Sequence, residues 1–169
     1  MANAKDKQQR DRTWLWMGLA VIALAAFLFY QYQSSKLFAV KGGDDGSVLV
    51  LLRGTKEVSF QVEYKGDAPA SISQIQLKLI TGPDVVVHTD VQEMRLVQGD
   101  NQVVLDKEGN VVGGDEFTLQ PNDTFEIQMK LYGNTLGINR LESIYIHFER
   151  NGQKEFFELP LSETIFSVE

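Results

Sequence analysis

Apolar and polar residues follow two different periods along this chain. From position 13 to position 33 the sequence TWLWMGLAVIALAAFLFYQYQ has no ionisable side chain, and apolar residues recur with no polar stripe between them. As a helix, residues 14–32 would span about 28 Å, close to the ~30 Å hydrocarbon thickness of a bilayer. Trp14 and Trp16 stand at one end of the run and Tyr30 and Tyr32 at the other. Amphipathic rings at both ends are the aromatic belts expected of a membrane span. The pattern predicts a transmembrane helix over 13–33, with the lipid bilayer as its surroundings.

Downstream the period drops to two. Val58, Phe60, Val62 and Tyr64 alternate with Glu57, Ser59, Gln61 and Glu63. Ile75, Leu77 and Leu79 alternate with Gln74, Gln76 and Lys78, and Phe125, Ile127, Met129 and Leu131 with Thr124, Glu126, Gln128 and Lys130. Such alternation marks half-buried antiparallel strands. Asn151-Gly152 sits between two alternating runs, as a two-residue type I′ hairpin requires. Pairing Arg150 with Gln153 sets Ile146 opposite Phe157, Ile144 opposite Leu159, Glu149 opposite Lys154 and His147 opposite Phe156. Apolar meets apolar and charge meets opposite charge, so the register is consistent.

Turn signals at 67–69, 82–84, 99–101, 108–110, 113–115 and 121–123 separate further short β-prone runs at 85–88, 91–97, 103–105 and 117–119. The fold predicted is all-β, an antiparallel β-sandwich of about seven to nine strands, Ig-like in architecture only. An Ig core of Cys, Trp and Cys is absent, since the chain has no cysteine and both tryptophans lie in the apolar run. Residues 48–52 (VLVLL) break the alternation; a central strand covered on both faces is the favoured expectation, and a stretch facing a partner or the membrane surface is the alternative. The domain organisation expected is a basic tail at 1–12, the span at 13–33, a linker at 34–46 ending in a flexible Gly-Gly-Asp-Asp-Gly turn, and the sandwich at 47–169.

Charge orients this arrangement. Lys5, Lys7, Arg10 and Arg12 precede the span against Asp6 and Asp11, whereas only Lys36 and Lys41 follow it before Asp44. The basic flank places the N-terminus in the cytoplasm and the C-terminal domain on the outer, periplasmic side of the cytoplasmic membrane. Ala23-Leu24-Ala25 resembles a signal-peptide cleavage site, but the residues after it stay apolar, which favours an uncleaved signal-anchor. Residues 44–169 hold 10 Lys and Arg against 21 Asp and Glu, a net charge of −11. A domain this acidic is not expected to bind nucleic acid.

Candidate chemistry is sparse. Without cysteine there are no thiolate sites and no disulfides. His88 and His147 are distant in sequence and read as cross-strand or turn contacts rather than as a metal pair. The carboxylates of residues 106–110 read as a turn rather than a calcium loop, because the spaced ligands and distal Glu are missing. Asn122-Asp123-Thr124 matches a glycosylation acceptor inside a turn. Ser34-Ser35-Lys36 lies in the linker, where nothing would desolvate the lysine, and no nucleophile elbow, phosphate loop or dinucleotide fingerprint is present. No catalytic residue, cofactor, metal or small-molecule substrate is therefore expected.

What remains is surface. Tyr132, Tyr145 and Phe156 fall on faces that alternation assigns to solvent or to a partner, and Phe166 lies in a C-terminal run able to add to a neighbouring sheet. The function expected is that of a non-catalytic accessory subunit of a larger membrane complex, with other integral membrane subunits as partners. Two alternatives share the outline: a subunit of a pilus-like or archaellum-like surface appendage, and an anchored ligand-binding or chaperone-like domain built around a groove.

Overall fold

The structure, a computed structural model, describes residues 16–25, 37–44, 46–80, 87–112 and 116–169. They fall into two units, one within 1–36 and one comprising 37–169. In the first, residues 16–25 form a helix. Among the described residues no helix is long and apolar enough to cross a membrane. The helix covers ten residues of the expected span, and Trp14, Tyr30 and Tyr32 lie outside the described residues.

The described residues of the second unit form a β-sandwich of ten strands: β1 (Phe38–Gly43), β2 (Ser47–Val50), β3 (Thr55–Tyr64), β4 (Ala70–Ile80), β5 (Thr89–Gln98), β6 (Asn101–Leu105), β7 (Phe117–Leu119), β8 (Thr124–Gly133), β9 (Gly137–Arg150) and β10 (Gln153–Val168). One sheet has the order β1-β3-β8-β5-β6 and the other β2-β10-β9-β4-β7. Period-two runs produce this directly, because their apolar positions point into the space between the sheets. Val58, Phe60, Val62 and Tyr64 of β3 and Phe125, Ile127, Met129 and Leu131 of β8 are all buried there. Across from them lie Ile72 and Ile75 of β4, Ile144, Ile146 and Phe148 of β9, and Phe157, Leu159 and Phe166 of β10. Each such side chain contributes roughly 1.5–3 kcal/mol.

The last hairpin has the expected register throughout: Arg150 faces Gln153, Glu149 faces Lys154, Ile146 faces Phe157 and Ile144 faces Leu159. Asn151 and Gly152 both take positive φ, 53° and 73°, as a type I′ turn demands.

Several expectations need correction. The stretch assigned to a linker contains β1, whose Phe38 packs 5.1 Å from Tyr64 and 5.4 Å from both Phe148 and Phe157. Gly43 is no flexible turn residue there. At φ 125° a Cβ would stand 2.2 Å from the Ser59 carbonyl oxygen, so glycine allows the backbones of β1 and β3 to approach. Residues 48–52 are not a central strand: β2 is a sheet edge with Val48 and Val50 buried and Leu49 exposed. It also pairs with β10 in parallel, so the sandwich is not wholly antiparallel and has ten strands rather than seven to nine. Val87 and His88 are in no strand, and positions 85 and 86 lie outside the described residues.

Candidate interaction surface

The outer face of the second sheet carries an aromatic group. The tight β9–β10 turn fixes which positions are neighbours, and the pleat turns Tyr145 and His147 of β9 and Phe156 of β10 outward. Phe156 is 66% exposed. Its ring centroid lies 6.0 Å from that of His147 and 6.4 Å from that of Tyr145. A large apolar ring left in solvent among other rings is the composition enriched at protein contacts.

A polar network holds this group in place. Glu158, next but one to Phe156, accepts hydrogen bonds from Ser143 Oγ at 2.9 Å and Tyr145 OH at 3.2 Å. Lys78 Nζ of β4 lies 3.0 Å from Glu142 and 3.7 Å from Glu158. The Ser143 hydrogen bond, helped by Tyr145 and Lys78, holds the Glu158 carboxyl below its ordinary range, and Glu142 raises Lys78. Both charges are thus fixed at neutral pH, and they border the rings with a polar edge. His147 Nε2 lies 3.3 Å from Gln76 Oε1, which spans β9 to β4.

The other sequence-predicted residues do not join this group. Tyr132 of β8 is half-buried on the other sheet, opposite Thr55 and Asp90. Phe166 is 1% exposed in the core and cannot meet a partner, which corrects the expectation for it. The bulge between Pro160 and Thr164 resets which face the later residues of β10 take. Trp16, on the helix, is exposed.

The candidates for chemistry are occupied structurally. His88 Nδ1 lies 3.0 Å from Thr135 Oγ1, and its ring fills the space beside Gly137. The Asp106 carboxylate accepts from the backbone N–H groups of Glu108 (2.9 Å) and Asn110 (2.8 Å) and from Asn110 Nδ2 (2.9 Å). These bonds, the Asn110 side chain first, hold it below its ordinary value, as a turn-closing carboxylate requires. Among the described residues no group of three His, Asp or Glu could hold a metal ion.

Two further features belong to the surface. Leu49, Leu51, Leu52, Leu136 and Ile138 are exposed toward one end of the sandwich, where Leu52 bridges Gly133 and Ser167 faces both Leu49 and Ile138. The break in alternation at 48–52 offers an outward-facing stretch as the second reading for the first three, whereas Leu136 and Ile138 carry no such signal. The second is a cleft of about 740 Å³ between β4 and β5, lined by residues that include Leu77, Leu79, Val91, Met94 and Leu105. It depends on which strands lack neighbours, and no local pattern encodes that.

No family model and no curated protein matches the chain. Solved structures resemble it weakly. The PapD-like domain 7 of human CEP192 is 9% identical with a TM-score of 0.43, covering 80% of this chain and 87% of that one. The cupredoxin domain of amoB from Nitrosocaldus yellowstonii is 7% identical with a TM-score of 0.41, covering 79% and 88%. A family 123 glycoside hydrolase from Clostridium perfringens is 7% identical with a TM-score of 0.42, covering 73% of this chain, which spans only 23% of the hydrolase.

Proposed function

We propose that this chain is a non-catalytic, single-pass accessory subunit of a larger membrane complex. Residues 13–33 anchor it in the cytoplasmic membrane with the N-terminus inside, and an Ig-like sandwich braces or covers partner subunits on the outer face. The Phe156, Tyr145 and His147 group is the observation that carries this reading, being a partner-like surface on a domain whose His88 and Asp106 are hydrogen-bonded to other residues of the same domain. The helix at 16–25 supports the anchor, because Trp16, Met17, Leu19, Val21, Ile22 and Leu24 expose apolar surface on every side. Trp14, Trp16, Tyr30 and Tyr32 serve as interfacial belts in this proposal.

The test is native-gel migration from mild detergent with mass spectrometry of comigrating proteins. The unmodified chain runs in a large band with stoichiometric membrane partners. Phe156→Glu leaves that band while keeping its thermal unfolding midpoint, since the side chain it replaces is exposed. Migration of the unmodified chain alone, near its monomer mass, overturns the reading.

A further inference from the structure

One flank of the sandwich is built with incomplete edges. In the second sheet β7 pairs only with Ala70, Ser71 and Ile72 of the eleven-residue β4. In the first, β6 pairs only with residues 94–98 of β5. The connection from β6 to β7 crosses this flank: Leu105 bridges Val111, Gln74 bridges Asn110, and the Ile75 N–H donates to the Gly109 carbonyl at 2.8 Å. Beyond Ile75, no described residue pairs with the outer edge of β4.

The backbone direction follows from that last bond. Ile75 sends its N–H away from β9, so two-residue periodicity sends the N–H and C=O groups of Leu77 the same way, and those of Leu79 too, because the irregularity between Lys78 and Leu79 skips Glu142 of β9 and no residue of β4. Ladder groups that no described residue pairs thus stand beside the 740 Å³ cleft. The side chains of Leu77, Leu79 and Val91 are half-buried and pack against the core, and Met94 and Leu105 are buried. Rim charges are mixed, with Lys107 beside Asp106 and Glu108, so they select for neither sign.

An occupant must satisfy two demands at once. It must cover apolar side chains, and it must offer hydrogen-bonding groups at strand spacing to an edge that would otherwise be dried and unpaired. A lipid chain or small apolar molecule meets only the first. We propose that the cleft is a docking site for an extended segment of a partner polypeptide, which adds to β4 alongside Leu77 and Leu79 and lays alternate apolar side chains over Leu77, Leu79, Val91 and Met94. About five residues suffice to run along positions 76–80.

The experiment is residue-resolved amide hydrogen exchange on the full chain in lipid nanodiscs. The probe is an acetylated, amidated Thr/Val heptapeptide of strict alternation, with a twin methylated on alternate backbone nitrogens. In the free chain the Leu77 and Leu79 amides exchange fast while that of Ile75 is protected. The peptide slows Leu77 and Leu79 by at least about tenfold and the twin does not. Leu79→Lys abolishes the slowing with Ile75 still protected, which shows the fold intact. Four results overturn the proposal: no slowing by the peptide; equal slowing by the twin or by dodecanoate, which makes the cleft an apolar sink; protection already present in the free chain, which means that its own residues cover the edge; or protection that rises with protein concentration alone, which means that a second copy does. None of these bears on membership of a complex, which comigration decides separately.

Discussion

Two phenylalanines ten residues apart on β10 show how position decides what one side chain does. Phe166 is 1% exposed between the sheets, whereas Phe156 is 66% exposed on the outer face. Truncating a buried phenylalanine removes its transfer free energy and leaves a cavity that a close-packed core does not fill. Phe166→Ala should therefore cost roughly 3–5 kcal/mol in urea unfolding. Phe156→Ala should stay within about 0.5 kcal/mol, because no core contact is lost. Comparable losses at the two sites would show that Phe156 is not a free surface residue. In the sequence the two look alike: ten residues apart in one run, they would fall on the same face under strict alternation. Only the bulge between Pro160 and Thr164 separates them, and a bulge leaves no mark on composition.

Turns separate in the same way when two glycines are compared. Gly152 closes the β9–β10 hairpin at φ 73° with open space around its missing Cβ, whereas Gly109 sits at φ 80° with the Ile75 carbonyl oxygen 1.8 Å from where a Cβ would lie. Gly152→Ala meets only the left-handed conformational cost of about 1–2 kcal/mol. Gly109→Ala adds a collision with the backbone of β4 that the 106–110 turn cannot relieve, and should cost at least about 3 kcal/mol. Equal shifts in the urea midpoint would mean that the turn moves freely away from β4. The hairpin at 151–152 was legible because two local signals, an Asn-Gly pair and period-two flanks, agreed on a single register. The role of Gly109 was not, since it depends on a strand 34 residues away in sequence. β1 was hidden for a related reason: Gly42 and Gly43 look like a flexible linker until β3 lies beside them. The aromatic group at Tyr145 and Phe156 could be read from alternation and the hairpin register together, while the cleft could not, because it arises from short edges in two different sheets.

At the scale of the whole molecule, the net charge of −7 sets a competition as pH falls. Protonating carboxylates relieves their mutual repulsion, which favours the compact state. Against this, three of them are hydrogen-bonded in the folded chain with depressed pKa values. Lys41, with Lys65, lowers Glu63 from its ordinary 4.5. Asn110 lowers Asp106 from 3.8, and Ser143 lowers Glu158 from 4.5. A carboxyl with a lower pKa folded than unfolded stabilises the fold above its unfolded value and loses that contribution as pH drops through the folded one. Stability should thus change little from neutral pH down to about 5 and then fall toward about pH 3. Removing the three groups together, as Glu63→Gln, Asp106→Asn and Glu158→Gln, should lower stability at neutral pH and flatten the acid limb, leaving relief of repulsion to dominate there. Urea midpoints measured across that range decide the matter. An acid limb as steep in the triple variant as in the unmodified chain would assign acid sensitivity to other carboxylates and leave these bonds as surface contacts of small weight.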